Sequence, residues 1–491
     1  MTARSVRAHR LLDTGPWLGA GLFALALLVL YPGEAIAQAA LERTEVDAVF
    51  ADFGMNTPGC ALGVVSDGRL IYGRGYGLAN LEHDIPITTH SVFRSGSVSK
   101  QFTGAVVAFA AMEGHLSLED ELRTWVPELP DYGSRLTLLH ALNHTSGLRD
   151  YLTLMDLRGL RNDDFYTELD LIERQAAQEE LNFDAGSEHL YSNSGYFLLT
   201  EAVARAVGKP FREYADEVLF EPLGMTNSHF HDDNNHVVPL RADGYAPLPD
   251  GSYRTSMTTL EMIGDGGVYT SIEDMAKWLV AQEQDGLRAG LNDIVQARGV
   301  LKSGDDIPYA LGITHGNYRG LPTIGHGGSF VGFRAHTLRF PTEGVGLVVL
   351  CNRSDGDPGR RIRRVADVVL AGRLGPMPEE SAEERRAREG LPAVTPENPA
   401  EYVGVYYSLE LDVEYHFSEE DGALQVRAGS AIEEQVYRMD GDTLAAGSPS
   451  PGDRFSPSLV FRFERDGRSV SGFELDAGRV VRLRFRKVRG G

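Results

Sequence analysis

Ser97 and Lys100, three residues apart in Ser97-Val98-Ser99-Lys100, open a stretch whose apolar residues Phe102, Val106, Phe109, Ala110 and Met112 recur at helical intervals until Gly114. At that spacing the two side chains share one helical face a turn apart, so the amine can reach the hydroxyl. A serine hydroxyl is a poor nucleophile at neutral pH and needs a neighbouring base during attack. A lysine amine can serve once burial and nearby positive charge lower its pKa. The helix N-terminus acts in the same direction and aims backbone N–H groups at a developing oxyanion. Alone the tetrapeptide carries little weight, since a Ser followed three residues later by Lys arises by chance about once in a chain of this length.

Two further segments supply what such a pair needs. Tyr191-Ser192-Asn193 follows a turn at Gly186 and leads into a helix expected over Asn193 to Val207. A tyrosine hydroxyl beside a lysine ammonium can be pushed toward its phenolate, giving a base for acylation and an acid for the leaving group. The two-sided amide of Asn193 can orient both the lysine and a substrate carbonyl or amide. Later, His326-Gly327-Gly328-Ser329 is expected to open a strand, where glycines admit a substrate backbone and the Ser329 N–H can face a carbonyl oxygen.

In this order and separation, Ser97-x-x-Lys100, Tyr191-x-Asn193 and His326-x-Gly328 resemble the three signature elements of the serine β-lactamase and penicillin-binding-protein superfamily. The chain is most similar to the class C-like (peptidase S12-like) branch, which includes class C β-lactamases, D-aminopeptidases, D-stereospecific carboxypeptidases and related esterases. Phe93-Arg94-Ser95-Gly96, His144-Thr145-Ser146-Gly147-Leu148, Pro222-Leu223-Gly224-Met225, Gly266-Gly267-Val268-Tyr269 and Leu350-Cys351-Asn352 extend the likeness over roughly residues 45–375. The resemblance implies that Ser97 is acylated and that Lys100 and Tyr191 share proton transfer. It gives Asn193, His326, Gly328 and Ser329 to substrate binding, with the N–H groups of Ser97 and Ser329 as oxyanion hole. It implies no metal and no organic cofactor, and a small peptide, amide, ester or β-lactam as substrate. Dedicated β-lactamases usually carry Lys-Thr-Gly where this chain has His326-Gly327-Gly328, and a histidine offers a positive charge only in part near neutral pH. A peptide, amide or ester is therefore favoured, with β-lactam turnover and a non-catalytic binding or scaffold role as the alternatives.

The elements that must hold these residues describe an α/β fold, for which the resemblance implies an antiparallel sheet flanked by helices plus an all-helical lobe. Cys60 to Val65 and Arg69 to Tyr76 are β-rich runs joined through Ser66-Asp67-Gly68, a hairpin signal. Helices are expected over Phe211 to Phe220 and Ser271 to Gln284, strands over Phe330 to Phe340 and Val345 to Leu350, and a basic helix from Pro358 to Leu374. Strands at both ends of a helical segment imply a sheet completed by distant parts of the chain. Between Gly375 and Pro399 the chain becomes Pro-rich and charged, as a solvated linker with room for a short helix. Beyond it, Val413, Tyr415 and Phe417 alternate with polar residues, as do Phe461, Phe463, Leu483 and Phe485, giving a small antiparallel barrel or sandwich. This region is similar to lipocalin-like barrels appended to some of these hydrolases. The expected division is a signal peptide over 1–37, the hydrolase domain over 38–375, a linker over 376–399 and the β domain over 400–491.

The signal is read from Arg4, Arg7 and Arg10 before an apolar run from Trp17 to Tyr31, with Ala35-Ile36-Ala37 as a small-residue cleavage site. It implies a periplasmic or secreted protein without stable membrane insertion; an uncleaved anchor is the lesser alternative. The net charge of −23 disfavours nucleic acid and anionic lipid as partners. Only two cysteines are present, Cys60 and Cys351. A bond between them and a pair of free buried thiols both remain open. His144 suits a structural hydrogen bond better than catalysis. His229, His231 and His236, beside Asp232 and Asp233, suit a solvated loop better than a metal site. Arg360, Arg361, Arg363 and Arg364 suit an exposed helix face, and Tyr196 and Phe197 suit core and pocket wall.

Overall fold

The computed structural model describes residues 43–160, 166–429, 432–450 and 454–490, and the expected signal peptide lies outside them. Val46–Gly491 form one compact unit. The early β-rich runs fold into a hairpin, β1 (Cys60–Ser66) and β2 (Arg69–Tyr76), with Asp67 and Gly68 both at positive φ in its turn. Late strands complete the sheet: β3 (Thr314–Tyr318), β4 (Leu321–Phe330), β5 (Phe333–Phe340) and β6 (Val345–Cys351). Their order is β3-β4-β5-β6-β1-β2, and every neighbouring pair is antiparallel.

β1 is apolar along its length because both faces of the sheet are covered there. On one face, Ala61, Val65, Val348 and Leu350 share a core with Ile272, Met275 and Leu279 of helix Ile272–Gln284. On the other, Leu62, Val64, Leu347 and Val349 meet Ile362, Val365 and Ala366 of helix Pro358–Val369. Gly63 lets the first helix approach, since a Cβ there would lie 2.8 Å from Ile272 Cγ2. Cys60 and Cys351 are register partners across β1 and β6 and are joined by a disulfide. Helix Lys100–Met112 is buried from Lys100 through Ala110, which makes it the central helix beside Asn193–Val207 in the helical lobe.

Several elements differ from the sequence expectation. His326-Gly327-Gly328-Ser329 does not open a strand; it lies toward the end of β4, and Val331 at positive φ with Gly332 turns the chain into β5. Glycines suggest a strand boundary from sequence alone, whereas here they admit a close neighbour in the middle of the fold. The stretch Phe211 to Phe220 starts as an α-helix over Phe211–Ala215 and widens to a π turn over Asp216–Phe220. The basic helix ends at Val369 rather than Leu374. Arg361 does not share the exposed face of Arg360, Arg363 and Arg364. It is buried, bidentate to Asp52 at 2.8 and 2.6 Å, with its guanidinium carbon 4.1 Å from the Phe53 ring centroid.

The C-terminal region is a closed antiparallel barrel of eight strands, with first strand Gly404–Ser408 paired to last strand Val480–Gly490. Rings of Tyr406, Tyr415, Phe417, Phe461, Phe463, Phe473 and Phe485 fill its interior. Before it, helix Ala382–Glu389 and the short strand Leu391–Pro392 lead in, the latter pairing with Phe455 and Arg454. The barrel docks on the helical lobe. Leu154 and Leu157 of helix Tyr151–Leu157 join its core, and the Tyr415 hydroxyl donates to the Leu157 carbonyl at 3.0 Å. Buried Arg149 pairs with Glu410 and donates to the Arg482 carbonyl at 3.1 Å.

Candidate active site

Ser97 lies in a 3₁₀ turn, Gly96–Ser99, that feeds directly into helix Lys100–Met112. Two serines that the sequence reading gave no role fix this turn. Ser99 Oγ accepts the Val268 N–H at 2.9 Å, and the Ser95 hydroxyl donates to the Val268 carbonyl at 3.0 Å. Gly96, at φ 53, and Gly328 let the turn and β4 touch. A Cβ on Gly328 would lie 2.0 Å from the Ser95 carbonyl oxygen, and one on Gly96 2.8 Å from the Ser329 nitrogen. The backbone of Ser329 is thereby held against the backbone of the Ser97 turn.

Lys100 is fully buried, and its Nζ lies 2.7 Å from Asn193 Oδ1, 2.7 Å from the Asp265 carbonyl oxygen and 3.4 Å from Ser97 Oγ. Burial lowers its pKa to about 7; Arg479 pushes in the same direction, against the carboxylates of Asp265 and Asp150. Two of the three neighbours can only accept. A neutral amine that donates to both therefore turns its lone pair toward the Ser97 hydroxyl.

The Tyr191 hydroxyl is buried, with the Ser97 hydroxyl nearby but no well-formed hydrogen bond to a described residue. Burial holds its pKa above the ordinary phenol value, opposed by the nearby Ser97 hydroxyl and then by Arg479. The expected drift toward phenolate is thus outweighed, and the phenol keeps its proton at neutral pH. Lys100 Nζ lies 4.8 Å from the Tyr191 ring centroid. His144, buried at φ 58, brackets this segment. Its carbonyl accepts the Leu190 N–H at 3.0 Å, its Nδ1 accepts the Ser192 N–H at 3.2 Å, and its ring centroid lies 4.0 Å from that of Tyr191. Tyr196 and Phe197 are both fully buried.

His326 carries no charge toward the cleft. Its Nδ1–H donates to the Gly327 carbonyl at 2.6 Å, and its Nε2 accepts from the Tyr309 hydroxyl at 2.9 Å. Burial, with Lys100 nearby, lowers its pKa to about 3. The partial charge expected from sequence is suppressed chiefly by burial, with Lys100 nearby acting in the same direction. His231 departs from expectation in being buried, and half-buried His229 lies 3.1 Å from it, Nε2 to Nδ1, with burial lowering their pKa values to about 4 and about 3. Among the described residues no group of three His, Cys, Asp or Glu side chains could hold a metal ion.

These side chains line one cleft of about 570 Å³: Ser97, Tyr191, Asn193, His326, Gly328 and Ser329 all face it. Asp265 and Arg479, neither of them a sequence candidate, line it too. The Asp265 carboxylate accepts from the Tyr151 hydroxyl at 3.1 Å and is held above the usual carboxylate range by burial. Its position after a Gly-rich approach to the Gly266-Gly267 pair was the available signal; Arg479 had none.

The Beta-lactamase family matches residues 46–371. The chain belongs to this family. A D-aminopeptidase of Gluconobacter oxydans is 26% identical over 340 residues, 68% of this chain and 62% of that protein. Penicillin-binding protein 4* of Bacillus subtilis is 26% identical over 358 residues, 69% of this chain and 77% of that one. The chain thus spans about three fifths of the length of the D-aminopeptidases it matches. Among solved structures, the octameric penicillin-binding protein homologue from Pyrococcus abyssi superposes with a TM-score of 0.60 at 22% identity, over 92% of this chain and 100% of that one. The D-amino acid amidase from Ochrobactrum anthropi superposes with 0.57 at 19% identity, over 68% of this chain and 99% of that one. These two likenesses concern the family fold.

Proposed function

We propose that the protein is a serine hydrolase acting by acyl transfer on a peptide, amide or ester. The observation that carries this is the setting of Lys100, a buried amine whose two fixed acceptors leave its lone pair for Ser97. Lys100 takes the Ser97 proton as Oγ bonds to the substrate carbonyl carbon. The N–H groups of Ser97 and Ser329 stabilise the oxyanion. Tyr191 protonates the leaving amine or alcohol as the carbonyl–heteroatom bond breaks. It regains its proton from Ser97 by way of Lys100, and water then releases the acyl group from Ser97 with Lys100 again as base.

Relatives named D-aminopeptidase support a D-aminoacyl amide or peptide as substrate. The neutral His326 weighs against strong recognition of a β-lactam carboxylate by this strand. Residues 1–37 and the Cys60–Cys351 bond support export to an oxidising compartment. The test is intact-mass labelling by a fluorophosphonate, with D-amino amides, esters and nitrocefin as competing substrates. Labelling at Ser97, lost in Ser97→Ala, is expected. An unlabelled, folded protein would restore the binding or scaffold reading, and efficient nitrocefin turnover would favour a β-lactamase.

A further inference from the structure

The strand that would meet an anionic substrate lacks a cation, since both ring nitrogens of His326 are engaged and the ring is neutral. The cleft nevertheless holds a guanidinium supplied by the barrel. Arg479 follows Gly478 at the tip of the hairpin between Ser469–Ala477 and Val480–Gly490. The tip is clamped to the helical lobe by the Asn182 amide, which donates to the Arg479 carbonyl at 3.0 Å and accepts the Val481 N–H at 2.9 Å.

The Arg479 guanidinium carbon lies 4.4 Å from the Tyr191 ring centroid, and its side chain is 44% exposed. It makes one long ion pair, 3.8 Å to the fully buried carboxylate of Asp150. That carboxylate is already committed: one oxygen accepts the Asn193 N–H at 2.7 Å and the other the Thr153 N–H at 3.0 Å. The guanidinium itself donates no hydrogen bond to any described residue. Other charged groups around the cleft are engaged in whole or in part. Arg334 is engaged in part, through one terminal nitrogen that donates to the Val331 and Phe333 carbonyls at 2.8 and 2.7 Å, and it does not stack on Tyr191; Asp355 is bidentate to Arg353 at 2.6 Å. A guanidinium with free paired N–H groups matches a carboxylate in geometry as well as charge.

Because Arg479 stacks on the ring of Tyr191, the proposed donor to the leaving group, its free donors lie on the leaving-group side. We propose that Arg479 forms a carboxylate subsite there, so that favoured substrates expel an amine bearing an adjacent free carboxylate, as does the C-terminal residue of a short peptide. This rests on the acyl-transfer reading above, and the test separates the two.

The full chain is assayed on D-alanylglycine and D-alanylglycinamide, which differ only in that carboxylate, while fluorophosphonate labelling of Ser97 reports acyl chemistry. The carboxylate is expected to be favoured by about tenfold to a hundredfold in kcat/KM, the scale of charge-assisted hydrogen bonds. Arg479→Gln should bring the two substrates within about threefold of each other, and Arg479→Lys should restore part of the preference. If neither dipeptide is turned over, the same comparison is made on how strongly each slows labelling. Labelling without a preference overturns the subsite and leaves acyl transfer standing, as does a preference that survives in Arg479→Gln. Absence of both labelling and turnover overturns both.

Discussion

Lys100 and Asn193 meet through a 2.7 Å hydrogen bond, although 93 residues separate them in the chain. The contact fixes where the amine points, because the Asn193 side chain takes one N–H and the Asp265 carbonyl another. Asn193→Ala should therefore lower kcat/KM by about tenfold to a hundredfold, the cost of one hydrogen bond to an ionisable group. Lys100→Met, which removes the base, should cost about a hundredfold to ten-thousandfold. Steady-state kinetics on a D-amino amide checks both. An Asn193→Ala variant as active as the unaltered protein would deny Asn193 its orienting role.

The rate should depend on the protonation of Lys100. Only the neutral amine can accept the Ser97 proton, so kcat/KM should rise with pH through about 7. The alkaline decline belongs to Tyr191, which must keep its proton and which burial pushes above the ordinary phenol value. Arg479 lowers the Lys100 pKa, so Arg479→Gln should move the acidic limb to higher pH. A pH–rate profile on D-alanylglycinamide reads this directly; a limb that stays in place or moves down would contradict it.

Gly328 and Gly327 adjoin in sequence but differ in surroundings. A Cβ on Gly328 meets the Ser95 carbonyl at 2.0 Å, whereas one on Gly327 meets the edge of the His336 ring at 3.2 Å. Gly328→Ala must push β4 away from the Ser97 turn, at a cost of about 1–3 kcal/mol in stability. The displaced oxyanion donor should cost about a hundredfold in rate. Gly327→Ala should be much the milder change. Thermal melts with kinetics on both variants separate loss of fold from loss of geometry.

The disulfide closes a loop with a sequence separation of 291 residues across the centre of the sheet. Its removal should lower stability by about 2–4 kcal/mol, chiefly by freeing the unfolded chain. Denaturant titration with and without reductant measures the loss. A mass unchanged by reduction would show the two thiols free.

The nucleophile's surroundings were legible where chemistry and local structure coincide. Ser97 and Lys100 share a helix start, and the three-residue spacing alone brings them together. Asn193 opens its helix at the expected residue. The alternation at Val413, Tyr415 and Phe417 and at Phe461, Phe463, Leu483 and Phe485 did mark barrel strands, although alternation cannot distinguish closure from an open sandwich. What stayed hidden depends on tertiary partners. His326 is neutral because burial, with Lys100 nearby, makes it so, and Arg361 is internal because Asp52 and Phe53 receive it. Arg479 sits in an ordinary hairpin tip, and only the docking of the barrel turns that tip toward Tyr191.

Aromatic rings crowd the interior of the barrel. Its contribution is mechanical: a stiff drum, bolted to the helical lobe through Arg149, Asn182 and Tyr415, that extends one finger over the reaction chamber. Because the tip is anchored to Asn182 through its backbone, its side chains offer a place to retune selectivity that is separate in sequence from the turn carrying the nucleophile.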